Sequence, residues 1–239
     1  MTDFVISDLH VPFHDPAALA VMLKMQQHFR PKNVIMNGDM LDCVQLSRFS
    51  KEPQEPASFK AQVEELCDII KKVQRYSNVI YIEGNHEARV GKYINDNAPE
   101  LLGLVSIEGL INNNLETPIE YVRTTPGESM LEWDNLLIGH FNKAAKNTGY
   151  TVKLLVEKYM TSVVQAHTHR LGEYAIRGYY GTLRGWECGC LCDINPSYVA
   201  VPNWQQGFLV YTGDKDAWNM EIAHINDGAC MFRGKTYKA

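Results

Sequence analysis

Five short apolar runs in this chain each stop at a compact polar cluster. "FVIS" leads into Asp8-Leu9-His10, "NVIM" into Asn37-Gly38-Asp39-Met40-Leu41-Asp42, and "VIYIE" into Gly84-Asn85-His86-Glu87. "NLLIG" ends at His140, and "VVQA" at His167-Thr168-His169. Short aliphatic runs bounded by Gly, Asn and Asp read as strands. Helical patterns separate the first three. Asp15 suits an N-cap and Pro16 the first position of a helix that runs to about Phe29. Val63, Leu66, Ile69, Ile70 and Val73 recur at helical spacing within about Phe59 to Tyr76. This alternation predicts an α/β fold with an at least partly parallel sheet. In such sheets ligands bind at the carboxyl ends of the strands.

The remaining segments carry weaker signals. A Pro- and Glu-rich loop, "SKEPQEPAS", precedes the second helix, and residues from about 96 to 132 suggest short helices and loops. A helix near Tyr150 to Tyr159 precedes the fifth strand, and "YVAVP" and "GFLVYT" are strand-like runs after His169. Neither repeats nor a linker divide the chain, so residues 1–239 are expected to form one domain. The net charge of -5 gives no basic footprint for a broad grip on nucleic acid. No apolar run is long enough to span a bilayer, and Asp3 within a short apolar start does not suit a signal peptide. A cytoplasmic setting is therefore expected, with the six cysteines as thiols. Cys188, Cys190 and Cys192 lack the paired C-x-x-C spacing of structural zinc sites. They are expected to be buried strand thiols that share one face.

Each polar cluster alone has a plain structural use, as a helix cap, a turn or a satisfied histidine. Their joint placement is harder to explain that way, because five of the eight histidines fall at these strand ends: His10, His86, His140, His167 and His169. His167 and His169, at i and i+2, would point to one side of an extended backbone. Carboxylate, imidazole and amide donors without thiolate suit Mn, Fe or Zn.

The ordered series D-x-H, G-D-x-x-D, G-N-H-[DE], Gly-His and H-x-H resembles the calcineurin-like metallophosphoesterases. It spans residues 8 to 169 here. The resemblance implies a four-layer αββα sandwich of two mixed sheets flanked by helices, with the metal site at the carboxyl ends of strands. It implies two divalent metal ions, manganese first, with iron or zinc as alternatives. Asp8, His10, Asp39 and His169 would hold one ion, and Asp39, Asn85, His140 and His167 the other, with Asp39 bridging. His86 would stabilise or protonate the leaving oxygen, and Asp42 would orient it. The implied reaction is attack of a metal-bridging hydroxide on phosphorus.

The substrate expected is a phosphoester, most simply a nucleotide phosphodiester, with a DNA or RNA exonuclease as the alternative and a non-catalytic metal-binding scaffold as the third reading. Arg89 and Arg170 flank two motifs and could contact a phosphate. Trp186, Tyr198 and Trp204 either stack on a base or pack a second sheet. Two positions depart from the family pattern. Ala166 stands where glycine usually precedes H-x-H, which matters only if that residue needs a positive φ. Cys43 stands where protein Ser/Thr phosphatases of the superfamily carry arginine, which argues against that activity.

Overall fold

The computed structural model describes residues 1–46, 58–123, 129–179, 181–196 and 201–239. The first three apolar runs form β1 (Thr2–Ile6), β2 (Asn33–Asn37) and β3 (Asn78–Ile82), joined by α1 (Pro16–Phe29) and α2 (Phe59–Gln74). Then follow α3 (Ala88–Asn97), α4 (Ile107–Asn112), β4 (Glu120–Val122), β5 (Met130–Trp133), β6 (Leu136–Gly139), α5 (Tyr150–Tyr159) and β7 (Ser162–Gln165). The chain finishes with β8 (Leu171–Gly178), β9 (Gly181–Cys188), β10 (Gly207–Gly213), β11 (Trp218–His224), β12 (Ala229–Phe232) and β13 (Lys235–Lys238).

Two mixed sheets result. The first has the order β11-β10-β1-β2-β3-β4, with β1 to β4 parallel and β10 and β11 antiparallel. The second has the order β5-β6-β7-β9-β8, with β6, β7 and β9 parallel. Alternation along each strand divides the apolar side chains between layers. Val5, Ile35, Ile80, Ile82 and Leu209 meet Leu136, Ile138, Val164 and Trp186 between the sheets. Phe4, Val34, Met36, Tyr81 and Val210 point the other way, onto Met22, Met25, Leu66 and Ile70 of α1 and α2. Leu137 and Val163 pack on Val152, Leu155 and Val156 of α5. The expected helix–sheet–sheet–helix layering is what this produces. No described helix is long and apolar enough to cross a membrane.

Local chemistry sets the helix ends. Asp15 accepts hydrogen bonds from the amides of Ala17 and Ala18 at 2.7 and 3.1 Å, with Pro16 first in the helix. α2 stops at Gln74, short of the expected Tyr76, whose amide instead turns back onto the Val73 carbonyl. α3 was not anticipated, because only Val90 and Ile94 of its ten residues are buried. Most of the run "YVAVP" and most of "SKEPQEPAS" lie outside the described residues.

Two expectations about backbone change. β7 ends at Gln165, so His167 and His169 do not share a strand face; both turn in the left-handed region. β9 ends at Cys188, and Gly189 at φ 74° interrupts the extended run. Cys188 therefore faces the space between the sheets, while Cys190 and Cys192 belong to the segment that follows.

Candidate metal centre

The carboxyl ends of β1, β2, β3, β6 and β7 all lead into the same region. Their loops are built from unusual backbone. Asp8, His10, Asp39, His167 and His169 have φ of 51°, 52°, 53°, 71° and 56°. Left-handed conformations are strained for side-chain-bearing residues and persist only where the surroundings over-determine them. Here the loops hold one another: the Asp8 amide donates to the Gly38 carbonyl at 3.1 Å, and the His10 amide to the Asp39 carbonyl at 3.0 Å. Ala166 is not among the positive-φ residues, so its methyl group meets no conformational penalty there.

Glu87 ties two of these loops together. One carboxyl oxygen accepts from the amides of Asp39 (3.0 Å) and Gly84 (2.9 Å); the other accepts from the Leu41 amide (2.9 Å) and the Tyr81 hydroxyl (2.8 Å). In the sequence Glu87 closes the G-N-H-[DE] motif, and nothing local to it signals this role. Close approach explains the neighbouring glycine, since a Cβ on Gly84 would strike the Asp39 amide and carboxyl.

Two groups of side chains meet at Asp39. On one side, His10 Nε2 and His169 Nε2 lie 3.1 Å apart, and His169 Nε2 is 3.2 Å from Asp8 Oδ1. On the other, His140 Nε2 is 3.1 Å from Asp39 Oδ2 and 3.0 Å from Asn85 Oδ1, and His167 stands beside His140 with ring centroids 5.3 Å apart. Asp39 Oδ2 also lies 4.0 Å from His10 Nε2 and 3.7 Å from His86 Nε2. Outer partners set which nitrogens face inward. His140 Nδ1 is held by the Asn37 carbonyl at 3.0 Å and His10 Nδ1 by Asp42 Oδ2 at 3.1 Å.

The set has the character of a cation site. Asp8 Oδ1 is buried and accepts no hydrogen bond despite its nearby imidazoles. Burial pushes Asp8 and Asp39 up, yet the surrounding histidines outweigh it and hold both carboxyls below the ordinary range. Burial likewise pushes His140 and His169 down, but Asp39 and Asp8 respectively raise them to about 9. His167 is lowered to about 4, by burial and then by the charge of His140. Buried carboxylates that draw protons onto imidazoles are equally suited to draw metal cations. Oxygen and nitrogen donors fit hard or borderline divalent ions.

The other singled-out residues divide. His86 Nδ1 lies 2.8 Å from the Asp42 backbone carbonyl and 3.5 Å from its carboxyl, so the Asp42 side chain bonds chiefly to His10 and its backbone fixes His86. Arg89 reaches the same carbonyl at 2.9 Å and His86 Nε2 at 2.9 Å. A guanidinium only donates, so Nε2 accepts and the ring proton sits on Nδ1. Arg170 donates to the Ala145 carbonyl at 2.6 Å. Trp186 is fully buried between the sheets and packs the second sheet, whereas Trp204 sits on His169 with centroids 4.3 Å apart. Tyr198 lies outside the described residues.

The sequence pattern of the calcineurin-like phosphoesterases matches residues 2–190. The chain belongs to this family. Calcineurin-like phosphoesterases act on phosphoesters with the help of metal ions, and candidate ligand groups are present here in the triads Asp8-His10-His169, His10-Asp39-His86 and Asp39-His140-His167. The gene 54 proteins of Mycobacterium phages L5 and D29 are 27% and 26% identical to this calcineurin-like chain; each alignment covers 98% of it and 97% of the phage protein. Vps29 from Entamoeba histolytica, solved in complex with zinc, superposes with a TM-score of 0.51 over 100% of this chain and 98% of that one, at 13% identity. That likeness extends to the fold.

Proposed function

We propose that this chain hydrolyses phosphodiesters of nucleotide size at a two-metal centre. Asp8, His10, Asp39 and His169 would hold one ion, and Asp39, Asn85, His140 and His167 the other. The observation that carries the reading is Asp39, whose carboxyl stands between the two imidazole groups and within 4.0 Å of one nitrogen of each. Two divalent ions there, manganese first, would supply an acidified water for attack on phosphorus and positive charge for the phosphoryl oxygens.

The protein's own part is positioning and proton control. Asp42 and Asn37 hold the Nδ1 atoms of His10 and His140, so their Nε2 atoms stay fixed toward the centre. Arg89 is a cation beside the site, and its bond to His86 can pass to a phosphate oxygen, for which a guanidinium is a strong partner. His86 Nε2, released from Arg89, is then free to take up a proton from solvent and pass it to the leaving oxygen. Trp204, half-buried, packs on His169 and so puts an aromatic side chain beside the centre. The net charge of -5 favours a small diester over a long nucleic-acid track.

Manganese-loaded protein incubated with bis-p-nitrophenyl phosphate, p-nitrophenyl phosphate, cyclic nucleotides and single-stranded DNA tests this. Chelator-sensitive turnover of the diesters supports the proposal. Preferred cleavage of DNA replaces it with the exonuclease reading, and silence on every substrate with a binding scaffold.

A further inference from the structure

We propose that His169, Cys190 and Cys192 form a second, thiophilic cation site that competes with the carboxylate-lined centre for the His169 ring. The His169 nitrogen and the two sulfurs lie within 4.8 Å of one another. His169 Nδ1 is 3.8 Å from Cys192 Sγ, while its Nε2 faces Asp8 and His10. In a tetrahedral zinc site, with Zn–S of about 2.3 Å and Zn–N of about 2.0 Å, a nitrogen and a sulfur ligand stand roughly 3.6 Å apart. The observed separation is already close to that value.

The backbone holds both thiols in place. The Cys190 amide donates to the Gln205 carbonyl at 3.1 Å, the Cys190 carbonyl accepts from the Gly207 amide at 3.1 Å, and Cys192 forms a β-bridge with His14. Gln206 Nε2 fixes the Cys192 carbonyl at 2.9 Å. Cys190 and Cys192 are buried, with 0% and 3% exposure, and His169 is exposed by 8%, so the third ligand is the one nearest solvent.

Two thiolates and an imidazole select a soft or borderline ion such as Zn²⁺ or Cd²⁺ over Mn²⁺. Binding displaces the two S–H protons to solvent. Competition follows from the ring itself, because a neutral imidazole has one lone pair on nitrogen and one N–H. With the proton on Nδ1, facing Cys192, Nε2 is free for the carboxylate-lined centre. A cation on Nδ1 sends the proton to Nε2 and withdraws His169 from that centre. Occupancy of the thiol site would thus inhibit phosphoester hydrolysis. That last step rests on the hydrolase reading; the cation site does not.

The test titrates the metal-free chain of residues 1–239 with Cd²⁺ and follows the ultraviolet thiolate-to-cadmium charge-transfer band. The band should appear in the wild type and in Cys67→Ser and Cys188→Ser, and vanish in Cys190→Ser and Cys192→Ser. Circular dichroism checks that each variant is folded. In parallel, the Cd²⁺ concentration that halves manganese-dependent diester hydrolysis should rise about ten-fold or more in Cys190→Ser and Cys192→Ser, the usual scale for loss of a metal-site partner. A wild type without the band, or a band that survives in both folded variants, overturns the site. A band without cysteine-dependent inhibition overturns the competition. A protein inactive before any Cd²⁺ is added fails the hydrolase reading, and the band still decides the site.

Discussion

Replacing Glu87 by glutamine tests whether one buried side chain holds the centre's loops together. Its carboxyl meets four donors: the amides of Asp39 and Gly84 on one oxygen, and the Leu41 amide and Tyr81 hydroxyl on the other. Burial, then the charge of Glu87, pushes the Tyr81 phenol up, so that hydroxyl keeps its proton and donates. Glutamine offers one accepting oxygen and an NH₂ group. Its best placement keeps the oxygen on Asp39 and Gly84 and turns the NH₂ toward Tyr81, whose hydroxyl rotates to accept. The Leu41 amide is then left facing another donor. One buried orphan donor costs about 1–3 kcal/mol, and weakening of the retained bonds adds on the order of 1 kcal/mol. The sum, about 2–4 kcal/mol, is a large share of a domain stability of roughly 5–15 kcal/mol. At this chain length it corresponds to a drop in Tm of about 5–15 °C. Calorimetry and urea unfolding of the Glu87→Gln variant measure it directly. A loss below about 0.5 kcal/mol, typical of an ordinary surface change, would refute the role assigned to Glu87.

Further outcomes are expected. Asp39→Ala should lose metal by elemental analysis, while His86→Ala keeps its metal and loses roughly 10²- to 10⁴-fold in turnover; a fully active His86→Ala protein removes the role of His86. Arg89→Ala should retain metal and lose about 10- to 100-fold in kcat/KM on a diester, the scale of one charge-assisted hydrogen bond; unchanged kinetics would leave Arg89 a mere neighbour of His86. Ala166→Gly should leave activity unchanged and cost at most about 1 kcal/mol of stability, because residue 166 needs no positive φ; a gain in activity would contradict that backbone assignment. In chelated protein, His140 and His169 titrate near 9 instead of 6.5, so their contribution to stability is complete below pH 6.5 and lost as pH rises toward 9. Thermal unfolding in chelator should therefore show Tm falling across that interval, and a flat profile would contradict the raised values.

The parts of this protein that local pattern controls were legible in its sequence. The strands are apolar runs, the first helix announces itself by Asp15 and Pro16, and the polar clusters fall where those strands stop. The elements missed carry little local signal: α3 has two buried apolar residues, and the β8–β9 hairpin sits in a Gly- and Tyr-rich stretch whose outer half is exposed. The strained backbone was illegible for a different reason. Aspartate and histidine at φ above 50° look the same in sequence as they do on a strand, and only contacts between loops hold them there. Residue type also fails to separate Trp186 from Trp204, one between two sheets and the other over His169. Most of the centre's second layer is non-local in this sense. Glu87 reaches back 48 residues to the Asp39 amide, and Cys192 lies 23 residues beyond His169. The sequence motif names candidate ligands, whereas contacts made in the fold, from Asn37, Asp42 and Cys192, set which nitrogens of His140, His10 and His169 face inward. Ligand chemistry could therefore be read one motif at a time, whereas the orientation of the ligands, on which affinity and competition depend, had to come from the fold.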